Sequence, residues 1–373
     1  MLKFTRREFV TLFWALTATA VVGCESRPGA PVPAQGSAPE AGVCPNPAEV
    51  HGFLTCADVN KAEQEGSIVP YTSEIERQLV QFMGEFGKLF PNINTTKYSR
   101  EQIGRVYAKL TAERQAGTYL ADVLLSSDVA ISMDFLKRGG YVRYISPYLE
   151  DYDTAFQSNP PGYFTWYSLI LAGIAYNTNL VSESEAPRSW RDLLDPKWRG
   201  SINFKDSASG LQAVQWFMLK KLYGDQFWKD MAAQNPKGLA STIQQYERLI
   251  NGEDKIIGLA QYNNYLEFKE RRAPINFVVP QEGLVVSPFT IGIVDRAPHP
   301  EAAKLFVDWL LSPVGQRTYV RITYYHSARK DVPPPPGAKP LSELKLLIPD
   351  WEELASVHQS QYVREWNALT GLR

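Results

Sequence analysis

The stretch Gly258–Gln316, GLAQYNNYLEFKERRAPINFVVPQEGLVVSPFTIGIVDRAPHPEAAKLFVDWLLSPVGQ, decides the fold. It reads as strand, tyrosine-rich turn, helix, extended return, strand and helix. Phe289–Val294 is rich in β-formers, Pro298 and Pro300 punctuate, and Ala302, Ala303, Phe306, Val307, Leu310 and Leu311 then recur at helical spacing. Pro300 suits the first turn of that helix, where its missing N–H has no intrahelical partner to lose. A strand feeding such a helix is an α/β unit.

Upstream, the same unit repeats. Gly66-Ser67-Ile68-Val69-Pro70-Tyr71 reads as a short strand, and Thr72-Ser73-Glu74 offers capping side chains to a helix with Ile75, Leu79, Phe82 and Phe86 on its apolar face. Ile93–Lys97 is a second β-like run leading into an amphipathic helix, Ile103–Glu113. Ala121–Leu125 reads as a buried strand that ends in Ser126-Ser127-Asp128 before the helix Val129–Arg138. Strand, turn and helix three times over predict a parallel sheet with its ligand edge at the strand C-termini. Tyr71, Thr72, Ser73, Ser127 and Asp128 therefore converge on one edge as candidate ligand contacts. Plain helix capping accounts for each taken singly. A further β-rich run, Ile170–Asn179, is the expected first crossing into a second lobe.

Beyond it stand Pro187-Arg188-Ser189-Trp190-Arg191-Asp192-Leu193-Leu194-Asp195-Pro196-Lys197-Trp198-Arg199-Gly200, the strand Ser201–Phe204 and the turn Asp206-Ser207-Ala208-Ser209-Gly210. Together with the proline-started helix near Pro300, these segments resemble bacterial two-lobed solute-binding proteins, in particular the ferric-ion-binding group, over about Ile68 to Val332. The resemblance implies a type II periplasmic-binding fold, α/β with a ligand cleft between two hinged lobes. It places lobe 1 at 66–170 and 287–340 and lobe 2 at 171–286 and 341–373. Ser207, Ser209 and the Gly210 backbone would open the helix Leu211–Lys221, where free N–H groups and the helix dipole favour an anion. By the same resemblance, Thr242 and Gln261 with Asn263 and Asn264 face the cleft.

In the ferric-binding members, adjacent tyrosines hold the metal. Here Asn263 and Asn264 stand at those positions, and amides do not supply the charge that a hard trivalent ion needs. The resemblance thus implies a small organic anion, such as a phosphate ester, phosphonate or carboxylate, with no cofactor. Ferric iron, on Tyr262, Tyr265 or Tyr325, is the alternative. Tyr324-Tyr325 is the one Tyr-Tyr pair in the chain.

At the N-terminus, Thr5-Arg6-Arg7-Glu8-Phe9 precedes an apolar run, Val10–Val22, shorter than the roughly 20 residues a spanning helix needs. It reads as an export signal over 1–23, resembling the twin-arginine type, and Val21-Val22-Gly23-Cys24 resembles a lipoprotein box with Cys24 as the lipidated residue. An uncleaved anchor is the other reading. Residues 24–65 begin with a Pro/Ala/Gly/Ser tether that cannot bury enough surface to fold. Cys44 and Cys56 then close a loop in a compartment where disulfides persist; a metal site with His51 would be one ligand short.

About 310 residues remain after the tether, enough for two lobes. A formal net charge of -1 implies neither nucleic acid nor an anionic surface as partner. The four histidines, His51, His299, His326 and His358, sit near no nucleophile or metal motif. The expected protein is therefore a monomeric, membrane-anchored, extracytoplasmic receptor that serves an ABC permease, not an enzyme. An exported enzyme or a sensory partner on the same fold is the alternative of another class.

Overall fold

A computed structural model describes residues 46–206 and 210–356, together with Tyr362, Arg364, Glu365, Trp366 and Ala368. The signal, the tether, Cys24, Cys44, Ser207 and Ser209 lie outside these described residues. Chain order begins with a hairpin, β1 (Ala48–Val50) and β2 (Phe53–Thr55), followed by α1 (Val59–Glu65). Cys56 follows β2 and is disulfide-bonded.

The first half of the main sheet alternates strand and helix: β3 (Pro70–Thr72), α2 (Glu76–Leu89), β4 (Ser99–Arg100), α3 (Ile103–Gln115), β5 (Val123–Ser126) and α4 (Val129–Lys137). The chain then runs through a single long strand, β6 (Thr165–Asn177), buried at all of its 13 positions. The second half repeats the alternation with β7 (Ile202–Lys205), α5 (Leu211–Tyr223), α6 (Asp225–Ala233), β8 (Lys237–Leu239), α7 (Thr242–Ile250), β9 (Ile256–Gln261) and α8 (Tyr262–Glu270). After β10 (Ile275–Val278) the chain returns along β11 (Leu284–Ile293) into α9 (Pro300–Leu311), α10 (Pro313–Thr323) and β12 (His326–Ser327). It ends with β13 (Leu346–Leu347) and α11 (Trp351–Ser356).

Strand order along the sheet is β4-β3-β5-β11-β6-β9-β7-β8, with β10 and β12 on β6 and β13 on β11. The β3–β4, β3–β5, β7–β8 and β7–β9 pairs are parallel, as the strand–turn–helix repeats require. Between these halves, β6 and β11 are antiparallel to each other and serve both sides. β11 pairs β5 through Thr290–Ile293, while Ala172–Tyr176 of β6 pairs β9. The two-lobed architecture follows from this arrangement, because the only strands common to both halves are β6 and β11. Both are all-buried runs, as strands covered on both faces are.

Individual residues fix the seams. A Cβ on Gly258 would lie 2.2 Å from the Phe204 ring, so β9 passes that ring only as glycine. The α9 helix buries nine of its twelve residues, and its Phe306 and Trp309 rings meet Phe86 of α2 at 5.2 and 5.3 Å. Pro300 opens α9, as expected.

Three expectations are corrected. The β-like run Ile93–Lys97 contributes only a bridge from Asn94 to Ser67, and the strand itself is Ser99–Arg100. Ile75 is not on the apolar face of α2; it is the N-cap residue and 39% exposed. No side chain caps that helix, because the Thr72 Oγ1 accepts from the Glu74 N–H instead. Among the described residues no helix is long and apolar enough to cross a membrane.

Candidate functional site

The C-terminal ends of β5 and β7, with the helices that follow them, open onto one cavity of about 730 Å³. Ser127, Asp128, Ala130 and Ile131 form its wall on the β5–α4 side, Gly210, Ala213 and Val214 its wall on the α5 side, and Ser287 of β11 lies between them. The sheet topology dictates this meeting, since helix N-termini gather where parallel strands end.

On the first wall, Asp128 caps α4. Its Oδ1 accepts from the N–H groups of Ala130 (2.9 Å) and Ile131 (3.4 Å), and no donor among the described residues reaches Oδ2. The residue is only partly exposed, at the wall of the cavity. Desolvation by burial holds its carboxyl above the usual range, although both amide hydrogen bonds pull the other way. Ser127 is placed by two neighbours: its Oγ lies 2.9 Å from the Ser73 Oγ, and its carbonyl accepts from the Ser287 Oγ at 3.2 Å.

The second wall has the opposite character. Gly210 precedes α5 at φ 55°, ψ −122°, and no side chain among the described residues caps this helix. Ala213 and Val214 donate to the Gly210 carbonyl, and the Leu211 and Gln212 N–H groups, earlier in the first turn, have no intrahelical acceptor. One wall thus presents a carboxylate and the other a set of donors at the positive end of a helix dipole.

The remaining expected contacts divide. Tyr71 turns away from the cavity: it is 2% exposed, and its hydroxyl donates to Glu113 of α3 at 2.8 Å. Thr72 is buried and used locally. Thr242 and Gln261 meet at 3.4 Å at the ends of β8 and β9, where Gln261 pairs with Ala172 of β6. Asn263 and Asn264, on the first turn of α8, are buried and contact each other at 3.4 Å; the Asn263 Oδ1 has no partner among the described residues. None of Thr242, Gln261, Asn263 and Asn264 lines the cavity.

The alternative metal ligands are all committed elsewhere. Tyr262 stacks on Phe277 at 4.6 Å, Tyr265 donates to Asn276, and Tyr325 is buried against Phe289 and Tyr319. Burial pushes all three phenols up, which disfavours the phenolate that iron would need. Tyr324 donates to Glu270.

Sequence reasoning missed several groups. Lys205, last in β7, has no carboxylate within ion-pair distance among the described residues, and burial lowers its pKa. Lys205 does not line the cavity, whereas Tyr107, Asp134, Trp351, Glu352 and Tyr362 do. Asp134 is neutralised, since it accepts from Tyr107 and pairs with Arg138 at 2.7 Å, and Arg138 holds its carboxyl below the ordinary value. No motif flags these residues, because they meet only through the packing of separate helices. Across the lobes, Arg77 of α2 reaches Glu267 of α8 at 3.3 Å; with the arginine 58% exposed, such a latch contributes roughly 0–1 kcal/mol.

Residues 119–357 match the family model of bacterial extracellular solute-binding proteins. The chain belongs to that family. Among its relatives is a protein of Salmonella typhimurium named for 2-aminoethylphosphonate binding, 25% identical over 74% of this chain and 83% of that one. Another, named a spermidine/putrescine-binding periplasmic protein of Haemophilus influenzae, is 26% identical over 60% of this chain and 64% of its own length. Iron-bound HitA from Pseudomonas aeruginosa superposes with a TM-score of 0.71 at 19% identity, covering 80% of this chain and 99% of that one. AfuA from Actinobacillus pleuropneumoniae, with fructose-6-phosphate bound, gives 0.70 at 24% identity, covering 83% and 99%. This solute-binding protein therefore has the two-lobed type II periplasmic fold. Its family comprises binding proteins of ABC transporters rather than enzymes.

Proposed function

We propose that this solute-binding protein is a lipid-anchored extracytoplasmic receptor for a small organic anion that also carries an amino group, which it delivers to an ABC permease. The observation that carries the ligand class is the polarity of the cavity: the N-terminus of α5, which no described side chain caps, on one wall and the Asp128 carboxyl on the other. An anionic group suits the first and an ammonium the second. The name of the Salmonella relative joins the same two groups in one molecule. The lobes, taken as 66–170 with 287–340 and 171–286 with 341–373, would grip the ligand together only when closed, so affinity and closure are coupled. Ferric iron is not favoured by any observed contact.

The test is Asp128→Asn, which keeps a good N-cap while removing the charge. Affinity for 2-aminoethylphosphonate is expected to fall about ten- to a hundredfold, the range for a charge-assisted hydrogen bond, while that for ethylphosphonate changes little. Equal losses for both compounds in titration calorimetry sink the amino contact.

Anchoring rests on Cys24 and the disulfide on Cys44. Cys56 is disulfide-bonded, and lipidation of Cys24 leaves Cys44 as its partner. Mass mapping of the membrane-extracted protein without reductant is expected to join the Cys44 and Cys56 peptides and to find diacylglycerol on Cys24. A free Cys44 thiol removes the pairing.

A further inference from the structure

We infer that Trp351 and Tyr362 form a third wall of the ligand site, in which the Trp351 Nε1–H and the Tyr362 O–H donate to oxygens of the ligand; this rests on the interlobe reading above. Both residues line the cavity. Tyr362 is 2% exposed, and its hydroxyl is buried without a partner among the described residues, as is the Trp351 Nε1. Native interiors rarely leave such donors unmatched, and two at one cavity point to an occupant that accepts from them.

Their packing places them on two sides of the cavity. The Tyr362 ring packs on Trp216 of α5 with centroids 4.9 Å apart, so its hydroxyl stands beside the helix whose N-terminus opens on the same space. Trp351 is held edge-on against Trp166 of β6 at 5.5 Å and 89°. Ion pairs tie the segment to the second lobe, Lys221 to Glu353 at 2.5 Å and Lys220 to Glu365 at 2.6 Å. Yet α11 reaches the α4 side of the cavity, where Ala130 and Ile131 face it. Tyr362 thus stands on the α5 side of the cavity and Trp351 on the α4 side. Burial raises the Tyr362 phenol, which keeps it a donor.

The experiment uses the full mature chain with Tyr362→Phe, which removes only the hydroxyl, and Trp351→Phe, which keeps one aromatic ring and removes the Nε1–H with the rest of the indole. Calorimetric titration with 2-aminoethylphosphonate and with fructose 6-phosphate is expected to show about tenfold weaker binding in each variant, with melting temperatures matching the parent. Unchanged affinity in both variants, with the parent binding either anion, overturns the third wall and leaves the proposed function standing. A parent that binds spermidine but neither anion overturns the proposed ligand class. It also removes the donation, because a polyamine has no oxygen to accept it.

Discussion

Placing an indole at position 213 is expected to abolish ligand binding while leaving the protein folded. Ala213 sits on the first turn of α5 and lines the cavity, so an Ala213→Trp side chain enters space that is open in the parent. The helix loses nothing essential: Ala213 donates its N–H to the Gly210 carbonyl, a bond that a tryptophan keeps. The new ring occupies the volume between the α5 N-terminus and Asp128, where both ends of an amino-bearing anion would be held. An affinity loss of at least a thousandfold, about 4 kcal/mol, is the expected calorimetric result. The melting temperature should move by no more than about 2–4 °C, the equivalent of roughly 1 kcal/mol in a chain of this size. Scattering profiles should also stay unchanged on adding ligand. A variant that binds 2-aminoethylphosphonate as the parent does would show that the ligand lies elsewhere, at the buried Asn263 and Asn264 among the candidates.

The parts of this arrangement that were legible in the sequence are those set by local physics. Pro300 and the recurring apolar residues after it define α9, and Asp128 announces itself as a cap by standing between a β-rich run and a helical one. The crossing strands were legible only in part. Ile170–Asn179 was the expected first crossing and Phe289–Val294 a β-rich run with no crossing assigned to it, whereas β6 begins at Thr165 and β11 at Leu284. Both faces of each strand are covered, so the alternation that marks a half-exposed strand is missing, and residues such as Ser168 and Ser287 look like turn formers until packed.

The site was less legible, for a different reason. Tyr71 and Thr72 were expected at the ligand edge because they end a strand, but strand alternation sends the Tyr71 ring to α3 and a local turn absorbs the Thr72 hydroxyl. Ser73 alone of the three stays beside Ser127. Conversely, Leu341–Arg373 was expected only to dock on the second lobe. It does meet that lobe through Lys221 and Trp216, yet Trp351 and Glu352 also reach the cavity. Helical spacing identifies an apolar face; it does not say which of two available partners, both distant in the sequence, that face will cover.

Acidification is expected to stabilise the protein through Glu74, and Glu74→Gln is expected to remove the effect. Glu74 is fully buried beside Ser73, and its Oε1 accepts from the hydroxyls of Tyr167 on β6, at 2.6 Å, and of Tyr319 on α10. No partner among the described residues reaches its Oε2. Burial pushes this carboxyl up to about 7, against the pull of the two hydroxyl bonds. The folded protein therefore holds a proton that the unfolded chain releases near pH 4.5. Below that value both states carry it, and no penalty arises. As pH rises from 4.5 to 7 the unfolded state is progressively favoured, and above 7 the full cost of a buried carboxylate, about 3 kcal/mol, is in place. Asp308 is raised to about 6 by burial and carries the same sign, but it is present in parent and variant alike, so their difference isolates Glu74. An amide at position 74 still accepts from one tyrosine and donates to the other, and it has no charge to bury. Unfolding by urea at pH 5 and pH 7.5 should show the variant gaining about 2 kcal/mol on the parent over that interval; parallel pH dependence would mean that Glu74 is ionised in the folded protein throughout. Tyr167 belongs to a strand shared by both lobes, and Ser73 touches the cavity's Ser127. A carboxylate forced into this position would thus strain the crossing strand and the ligand edge together, which makes the same variant expected to lessen any weakening of ligand affinity between pH 5 and pH 7.5.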